Sequence, residues 1–260
     1  MADRAPKLAV LIDADNASPR VADGLFEEVA KIGEASLRRI YGDFSSGNSR
    51  GWSSILSRHA LLPQHQPAYT TGKNSSDIAL VIDAMDLLHS GRFDGFCLVS
   101  SDSDFTRLAA RIREQGLDVY GIGEAKTPES FRQACTRFIF SENFASVDKE
   151  TEGSGKSAKQ PLSKATDLIG KALDQLDEDA DGWFNLGTVG QRLNNLSPEF
   201  DTRTFGHTKL IDLITATKKY EVSRGDGYVR MRPQKPKAAA KPVRKRTRST
   251  AKAKKKEDAE

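Results

Sequence analysis

Cysteine is scarce in this sequence, with two residues in 260, and both lie inside apolar segments. Neither Cys97 nor Cys135 has the spacing to other residues that a metal site requires, and the four histidines lack such spacing too. Buried thiols are the common outcome for cysteines in apolar surroundings. We therefore assign neither cysteine a metal-binding or catalytic role.

Long apolar runs are also missing. The longest stretches, such as Ile78 to Ile82, fall far short of the roughly 18 residues that a membrane-spanning helix needs. The N-terminus lacks the charged start, apolar stretch and small-residue cleavage site of a secretory signal. We therefore expect a cytoplasmic protein that has no membrane partner.

The charge of the chain is unevenly distributed. Residues 234–260 contain 11 Lys or Arg against 3 acids, a net charge of +8, while the remainder carries 29 basic and 33 acidic residues, a net charge of −4. This last segment also has almost no large apolar residue, so it cannot bury enough surface to offset the entropy of ordering. It is predicted to be a disordered basic tail with a non-specific, salt-sensitive attraction for polyanions.

Strand-like and helix-like segments alternate along residues 1–147. This alternation predicts an α/β domain with a parallel sheet flanked by helices. The expected strands are 7–12, 37–44, 95–101, 117–122 and 138–140, and the expected helices begin near Ser18, Trp52 (to His59), Ser76 (to His89), Phe105 and Thr127.

A second, smaller domain is expected after a polar linker. Residues 148–161 are rich in Gly, Ser and Lys, which is typical of a linker. The following domain, 162–233, has helical apolar spacing over 162–176, 186–196 and 204–217. Strand-like segments at 220–223 and 228–231 flank Asp226-Gly227, a strong turn signal. Three helices and a hairpin predict a small winged-helix domain.

Aspartates follow two of the predicted strands of the first domain. Asp13 ends the first strand, and Asp102 and Asp104 follow the strand 95–101. Ligands of parallel α/β sheets bind beyond the carboxyl ends of the strands, so both groups point to one place. Asp77 opens the long helix, where it is either a ligand turned toward that crevice or a helix-capping residue.

Carboxylates that converge in this way need a cation. Two of them about 4 Å apart repel by roughly 4 kcal/mol at an effective dielectric constant of about 20. Oxygen ligands without His or Cys favour Mg²⁺ or Mn²⁺ over Zn²⁺. Such a metal supports hydrolysis of a phosphodiester. We therefore expect the metal ligands and catalytic residues to be Asp13, Asp77, Asp102 and Asp104, although a single aspartate at a strand end is ordinarily a turn residue.

Other polar residues receive lesser roles. We expect Asp15 and Asp43 to be surface or turn residues. Asp83 lies about 240° around the helix from Asp77 and has at most a supporting role. Positive charge mixed with rings is typical of proteins that bind single strands. The expected substrate-binding residues are Asn16, Lys73, Ser101, Arg39 and Trp52, and Trp52 is alternatively a core residue.

Three stretches of the first domain, 9–16, 71–86 and 98–105, resemble the NYN domain of the LabA-like branch, within the PIN-like nuclease superfamily. The resemblance covers roughly residues 7–144 and implies a PIN-like fold with a Mg²⁺ or Mn²⁺ site. Asp13, Asp77, Asp102 and Asp104 match the acidic positions of the family, and Asn16 matches its nearby polar position. Asp83 also matches a position that the family often keeps acidic.

The second domain resembles the OST-HTH/LOTUS domain over residues 162–232. The similarity is most visible in Phe205 to Ile214 and in the wing that contains Gly227, Tyr228 and Val229. This resemblance implies binding of RNA or of protein.

Three hypotheses about function follow. The first is a metal-dependent ribonuclease to which the LOTUS-like domain and the basic tail recruit single-stranded or structured RNA. The second is a non-catalytic RNA-binding regulator with a weak or inactive aspartate pocket. In the third, Asp13-Ala14-Asp15 is the nucleophile loop of a phosphatase similar to haloacid dehalogenases, but the lysine that such enzymes need does not follow in order. DNA as a further substrate and a homodimer both stay open.

Overall fold

The computed structural model describes residues 4–44, 47–65, 75–144, 159–225 and 228–234, with the backbone alone at 47–50 and 65. The first part of the chain forms an α/β domain. Its elements are β1 (Lys7–Asp13), α1 (Ala22–Ile32), β2 (Glu34–Gly42), β3 (Leu62–His65), α2 (Ser75–His89), β4 (Gly95–Val99), α3 (Thr106–Glu114), β5 (Asp118–Gly123), α4 (Glu129–Ala134) and β6 (Arg137–Phe140).

The six strands form one parallel sheet in the order β3-β2-β1-β4-β5-β6. The register places Asp13, the last residue of β1, beside Tyr41 of β2. On the other side, Ile12 pairs with Val99, the last residue of β4. The polar residues that follow β1 and β4 therefore emerge next to each other at the carboxyl edge of the sheet.

Alternate residues of the strands build a core on each face of the sheet. Leu11 of β1 packs toward α2, α3 and α4, while Val10 and Ile12 pack toward α1. Burial on both faces explains why β1 and β4 are continuous apolar runs. The α/β class and the parallel sheet flanked by helices are confirmed.

The prediction of a helix over residues 52–59 is wrong. A 3-10 helix covers Gly47–Ser54 instead, and isolated turns follow it. One cause is that serine hydroxyls compete for backbone groups, as where Ser54 donates a hydrogen bond to the Gly51 carbonyl. β3, which was not predicted, follows and contains Pro63. A proline fits there because β3 is the edge strand of the sheet.

The smaller domain has three helices and a three-stranded antiparallel sheet in the order β7-β9-β8. Its elements are α5 (Leu162–Leu173), β7 (Phe184–Asn185), α6 (Leu186–Leu196), α7 (Leu210–Thr217), β8 (Tyr220–Arg224) and β9 (Val229–Pro233). The winged-helix shape is confirmed, with β7 as an additional strand. The helix predicted over 204–217 is interrupted, because Gly206 has a left-handed conformation (φ 84°) after the 3-10 helix Thr202–Phe205.

Two predicted segments lie largely outside the described residues. They are the linker, 148–161, of which residues 159–161 are described, and the basic tail, of which Gln234 is described. The limits of the domains stay a prediction. Within the described part of the chain, no helix has the length and apolar character to span a membrane.

Candidate active site

Asp13 lies at the centre of the carboxyl edge and is 1% exposed. Its Oδ1 accepts hydrogen bonds from the backbone N–H groups of Asp15 (3.1 Å) and Asn16 (3.2 Å). Its Oδ2 accepts one from the Asn16 amide (2.9 Å) and one from the Ser100 hydroxyl (2.7 Å). Burial raises the pKa of Asp13, and these hydrogen bonds oppose that rise. The carboxylate is thus held in one orientation by groups from the loops that follow β1 and β4.

Asp102 and Asp104 are attached to the same edge through Ser100. The Ser100 oxygen accepts a hydrogen bond from the Asp102 N–H (3.0 Å) while its hydroxyl donates to Asp13. Asp102 then caps the 3-10 helix Ser103–Phe105 by accepting a hydrogen bond from the Asp104 N–H (2.9 Å). Ser100 therefore links the two acidic groups, although the sequence did not single it out.

Asp77 reaches the same region from the first turn of α2. Its pKa is raised to about 6 by burial and then by the negative charges of Asp13, Asp102, Asp15 and Asp104. No hydrogen bond or ion pair satisfies this carboxylate among the described residues. The four aspartates predicted to form the site therefore share one electrostatic environment. The role of Asp77 as a metal ligand stays a prediction.

Asp15 is a fifth acid at this edge. It is exposed, as a turn residue is, but its Oδ2 accepts a hydrogen bond from the Ser76 hydroxyl (3.0 Å) at the start of α2. It therefore connects the loop after β1 to the helix that carries Asp77. Its spacing, two residues after Asp13 and before a helix, was the signal that could have placed it here.

The acids converge without forming a closed cage. Within the described ranges, no three Asp, Glu, His or Cys side chains are close enough to hold a metal ion. The chemistry of the donors nevertheless fits a hard divalent cation, since all of them are carboxylates. The pKa of Asp77 is raised by burial and then by the charges of the neighbouring acids, and a cation among them would offset this repulsion.

The other residues predicted to bind substrate divide into two groups. Asn16 and Ser101 line a small cavity at the ends of β1, β4 and β5, together with Ser100, Glu124 and Ser141. The Ser101 hydroxyl also accepts a hydrogen bond from the Glu124 N–H (2.9 Å), which joins the ends of β4 and β5. Lys73 lies outside the described residues.

Trp52 is a core residue, and its assignment to substrate binding is corrected. Its side chain is 0% exposed, and its indole N–H donates a hydrogen bond to the Ala17 carbonyl (3.0 Å). A ring without exposed surface cannot stack on a base. Its contribution to the site is indirect, because it supports the loop that follows Asp13.

Arg39 points to α2, where it forms an ion pair with Asp83 (2.5 Å). The same Asp83 oxygen accepts a hydrogen bond from the buried Tyr41 hydroxyl (2.5 Å). Arg39 is about three-quarters buried, and its Nη1 donates to Asp83, so this pair is its main contact within the described residues; its role in substrate binding stays a prediction. Asp83 thus has the supporting role expected of it, since it fastens α2 to β2 beside Asp13.

Two domain families match the sequence. The NYN domain matches residues 7–142, which is more than half of the chain, and the OST-HTH/LOTUS domain matches residues 157–230. NYN domains are part of the PIN-like nuclease superfamily, and OST-HTH/LOTUS domains bind RNA. No curated protein matches the sequence.

Two solved structures are similar to parts of the chain. A protein of unknown function from Vibrio parahaemolyticus is 21% identical over 53% of this chain and 94% of its own, with a TM-score of 0.44. An uncharacterized protein from Nitrosomonas europaea is 28% identical over 36% of this chain and 99% of its own, with a TM-score of 0.26. Neither likeness is close enough to carry an argument.

Proposed function

This chain belongs to the NYN domain family, and from that premise we propose that it is a divalent-metal-dependent ribonuclease. Its substrate is RNA that the OST-HTH/LOTUS domain and the basic tail bring to the carboxyl edge of the sheet. The observation that carries the proposal is that carboxylates from three separate segments converge. Ser100 joins Asp13 to Asp102 by hydrogen bonds, and Ser76, which precedes Asp77 in α2, donates to Asp15. The raised pKa of Asp77 agrees with the repulsion expected among these acids. Uncompensated repulsion of this kind is typical of functional sites.

The residues that would hold Mg²⁺ or Mn²⁺ are Asp13, Asp77, Asp102 and Asp104. Such an ion, when bound, lowers the pKa of a coordinated water and stabilises the leaving oxygen of a phosphodiester. Asp13 supplies the most firmly oriented carboxylate, because four donors fix it. The pKa of Asp77 is raised to about 6, so its protonation changes close to neutral pH.

The neighbouring residues position the substrate. The Asn16 amide, which donates to Asp13, lies in the cavity at the strand ends, where it can orient a phosphate or a water. Ser101 lies in the same cavity and holds the Glu124 backbone. These groups place an RNA phosphate next to the acids without contributing charge of their own.

The wing of the second domain offers a surface for RNA. Arg232 lies 4.4 Å from the centre of the Trp183 ring, and Arg230 lies over both Trp183 (5.6 Å) and Tyr228 (5.3 Å). Tyr228 is 48% exposed. Rings and guanidinium groups that alternate in this way suit stacking on unpaired bases together with attraction to phosphates.

A second candidate function is RNA binding without cleavage. The observation in its favour is that each Asp13 oxygen already accepts two hydrogen bonds, which fills the roughly four acceptor positions of a carboxylate. To coordinate a metal ion, Asp13 would have to lose at least one of these four hydrogen bonds. The two functions differ in whether metal promotes cleavage.

Cleavage of labelled single-stranded RNA and DNA of equal sequence, with Mn²⁺, Mg²⁺ or EDTA, tests the proposal. The unaltered protein is compared with Asp13→Asn and Asp102→Asn, and with Asp86→Asn as the control, since Asp86 is an exposed acid of α2. We expect metal-dependent cleavage of RNA by the unaltered protein and by the control, and none by the other two variants.

Binding is measured separately by fluorescence anisotropy. Absence of cleavage with either metal, together with binding that persists in EDTA and in both site variants, would reject the ribonuclease and favour the RNA-binding function. Cleavage that persists in Asp13→Asn and Asp102→Asn would place the chemistry elsewhere.

A further inference from the structure

The segment between α6 and α7, residues 197–208, contacts the first domain; we refer to it as the docking segment. Part of this contact covers β6, the edge strand of the parallel sheet. The Phe138 N–H donates a hydrogen bond to the Pro198 carbonyl (2.8 Å). An edge strand presents unpaired backbone groups that proteins commonly cover, and here the second domain supplies the cover.

A buried ionic cluster lies at the centre of the contact. The Arg203 guanidinium donates to both Glu28 oxygens, at 2.7 and 3.1 Å, and to Asp201 at 2.6 Å. The Glu28 and Asp201 side chains are 6% and 7% exposed. Glu28 lies on α1 of the first domain, whereas Arg203 and Asp201 lie in the docking segment. A bidentate pair of this geometry defines one relative orientation of its partners.

The pKa of Glu28 is lowered although burial alone would raise it, because hydrogen bonds and charge from Arg203 and Lys31 outweigh burial. Breaking a buried pair leaves an uncompensated charge, so separation of the two domains is costly. This cost opposes free rotation of the second domain about its linker.

Two further contacts flank the cluster. Arg132 of α4 forms an ion pair with Glu199, and both side chains are mostly buried. The Asn143 amide donates to the Thr204 hydroxyl (3.4 Å). Asn143 lies two residues after Ser141, which lines the cavity beside the Asp13 site. The docking segment therefore reaches the carboxyl edge of the sheet, where the acids lie.

We propose that the docking segment locks the OST-HTH/LOTUS domain onto α1, α4 and β6, so that the two domains act as one rigid unit. RNA held on the wing then approaches the acidic edge from a fixed direction and at a fixed distance. This second statement rests on the proposed function, whereas the docking itself does not.

Distances between spin labels test the docking in the full chain. Labels are attached through Gln115→Cys in the first domain and Lys171→Cys in the second, both at exposed positions. The two native cysteines are 0% exposed and do not compete for the label. In the otherwise unaltered protein we expect a single narrow distance distribution.

Charge reversal supplies the decisive comparison. We expect Arg132→Glu and Glu199→Arg each to broaden the distribution, and the double variant to restore its width. Glu129→Arg, an exposed position on the same helix, is the control and is expected to change nothing. Glu28→Gln, with the exposed neighbour Glu27→Gln as its control, tests the ionic cluster by a change that preserves shape.

A broad distribution in the protein without charge reversals, or a distribution that neither Arg132→Glu nor Glu28→Gln broadens, overturns the proposal. Circular dichroism confirms that each variant is folded before its distances are interpreted. If the unaltered protein cleaves RNA, loss of docking should raise KM for long RNA by at least about tenfold, because the two sites no longer act together. A narrow distribution of distances between the spin labels, in a protein that does not cleave RNA, would support the docking proposal and reject the proposed nuclease activity.

Discussion

Asp77 is the residue at which the electrostatics of the site can be measured most directly. Its pKa is about 6 in the folded protein, against 3.8 for an unperturbed aspartate. Between these pH values the folded state binds more protons than the unfolded state, so stability falls as pH rises through this window. Above it, the ionised carboxylate destabilises the fold in the absence of metal.

We therefore expect Asp77→Asn to stabilise the metal-free protein at pH 7 by about 1 to 2 kcal/mol, since one pKa unit corresponds to about 1.4 kcal/mol and solvent screens part of it. The gain should shrink as pH falls through this window and disappear at about pH 3, below the ordinary value of 3.8, where the native residue is largely protonated in both states. Thermal unfolding in EDTA across this pH range measures it. A variant less stable than the unaltered protein at pH 7 would contradict the assigned repulsion.

The two tryptophans provide a second prediction at this scale. Trp52 is fully buried, whereas Trp183 is partly exposed beneath Arg230 and Arg232. In Trp183→Phe, the remaining tryptophan fluorescence comes from Trp52. This fluorescence should be blue-shifted, poorly quenched by acrylamide and unchanged when RNA is added. In Trp52→Phe, the emission should respond to RNA. A response of Trp52 to RNA with no response of Trp183 would reverse these assignments.

Sequence reasoning at the residue level predicted that Asp13, Asp77, Asp102 and Asp104 approach one edge of the sheet, because their positions relative to strands and helices determine where they lie, while their roles as metal ligands stay predictions. It could not assign Ser100 or Asp15 to the same site. Their roles depend on hydrogen bonds to residues 87 and 61 positions away. Arg39 and Trp52 fit an RNA-binding composition, but in the folded protein Arg39 pairs with Asp83 and Trp52 donates to the Ala17 carbonyl.

At the level of elements, α2 is anchored to the sheet by Asp83. Tyr41 and Arg39 both donate to one Asp83 oxygen. Asp83→Asn would leave Arg39 without its counter-ion, and we expect a loss of about 1 to 3 kcal/mol in unfolding free energy. Urea denaturation measures this loss, and Asp86→Asn, exposed on the same helix, should stay within about 0.5 kcal/mol of the unaltered protein.

Because α2 carries Asp77, the same substitution should also move the site. The pH at which Asp77 titrates should fall toward its ordinary value if the helix shifts away from the other acids. Titration followed by carbon-13 NMR measures this pKa. An Asp83→Asn protein of native stability, with an unchanged Asp77 titration, would show that other contacts anchor α2.

Some elements were predictable and others were not, for physical reasons. β1 and β4 are buried on both faces, so their apolar runs are unambiguous, and α2 is long enough for its period to be clear. β3 has four residues and includes Pro63, and its strand conformation depends on pairing with β2. The failure at 52–59 has the same origin, since tertiary contacts of Trp52 determine that segment more than helix propensity does.

At the scale of the whole molecule, the contact between the domains could not be read from the sequence. Glu28 and Arg203 are 175 positions apart and look like ordinary surface charges. Glu28 does fall between Leu25 and Val29 on the buried side of α1, where a carboxylate requires a partner. That position indicates that a partner exists without identifying it.

The division of charge between the tail and the rest of the chain gives the last prediction. Removal of residues 235–260 changes the net charge from +4 to −4. We expect weaker binding of single-stranded RNA and a shallower dependence on salt. The slope of log K against log salt should fall by roughly 0.7 for each phosphate that the tail no longer neutralises. Cleavage at saturating RNA should be unchanged, because the acids and the wing remain.

A chain of full length in which glutamine replaces the tail's Lys and Arg separates charge from length. If charge attracts the RNA, this protein should behave like the truncated one, and both should match the unaltered protein at high salt, where counterion release no longer contributes. A salt dependence that survives both changes would assign the phosphate contacts to the folded domains. In that case the wing arginines over Trp183 and Tyr228 are the cations to substitute next, since they lie on the same surface as the exposed rings.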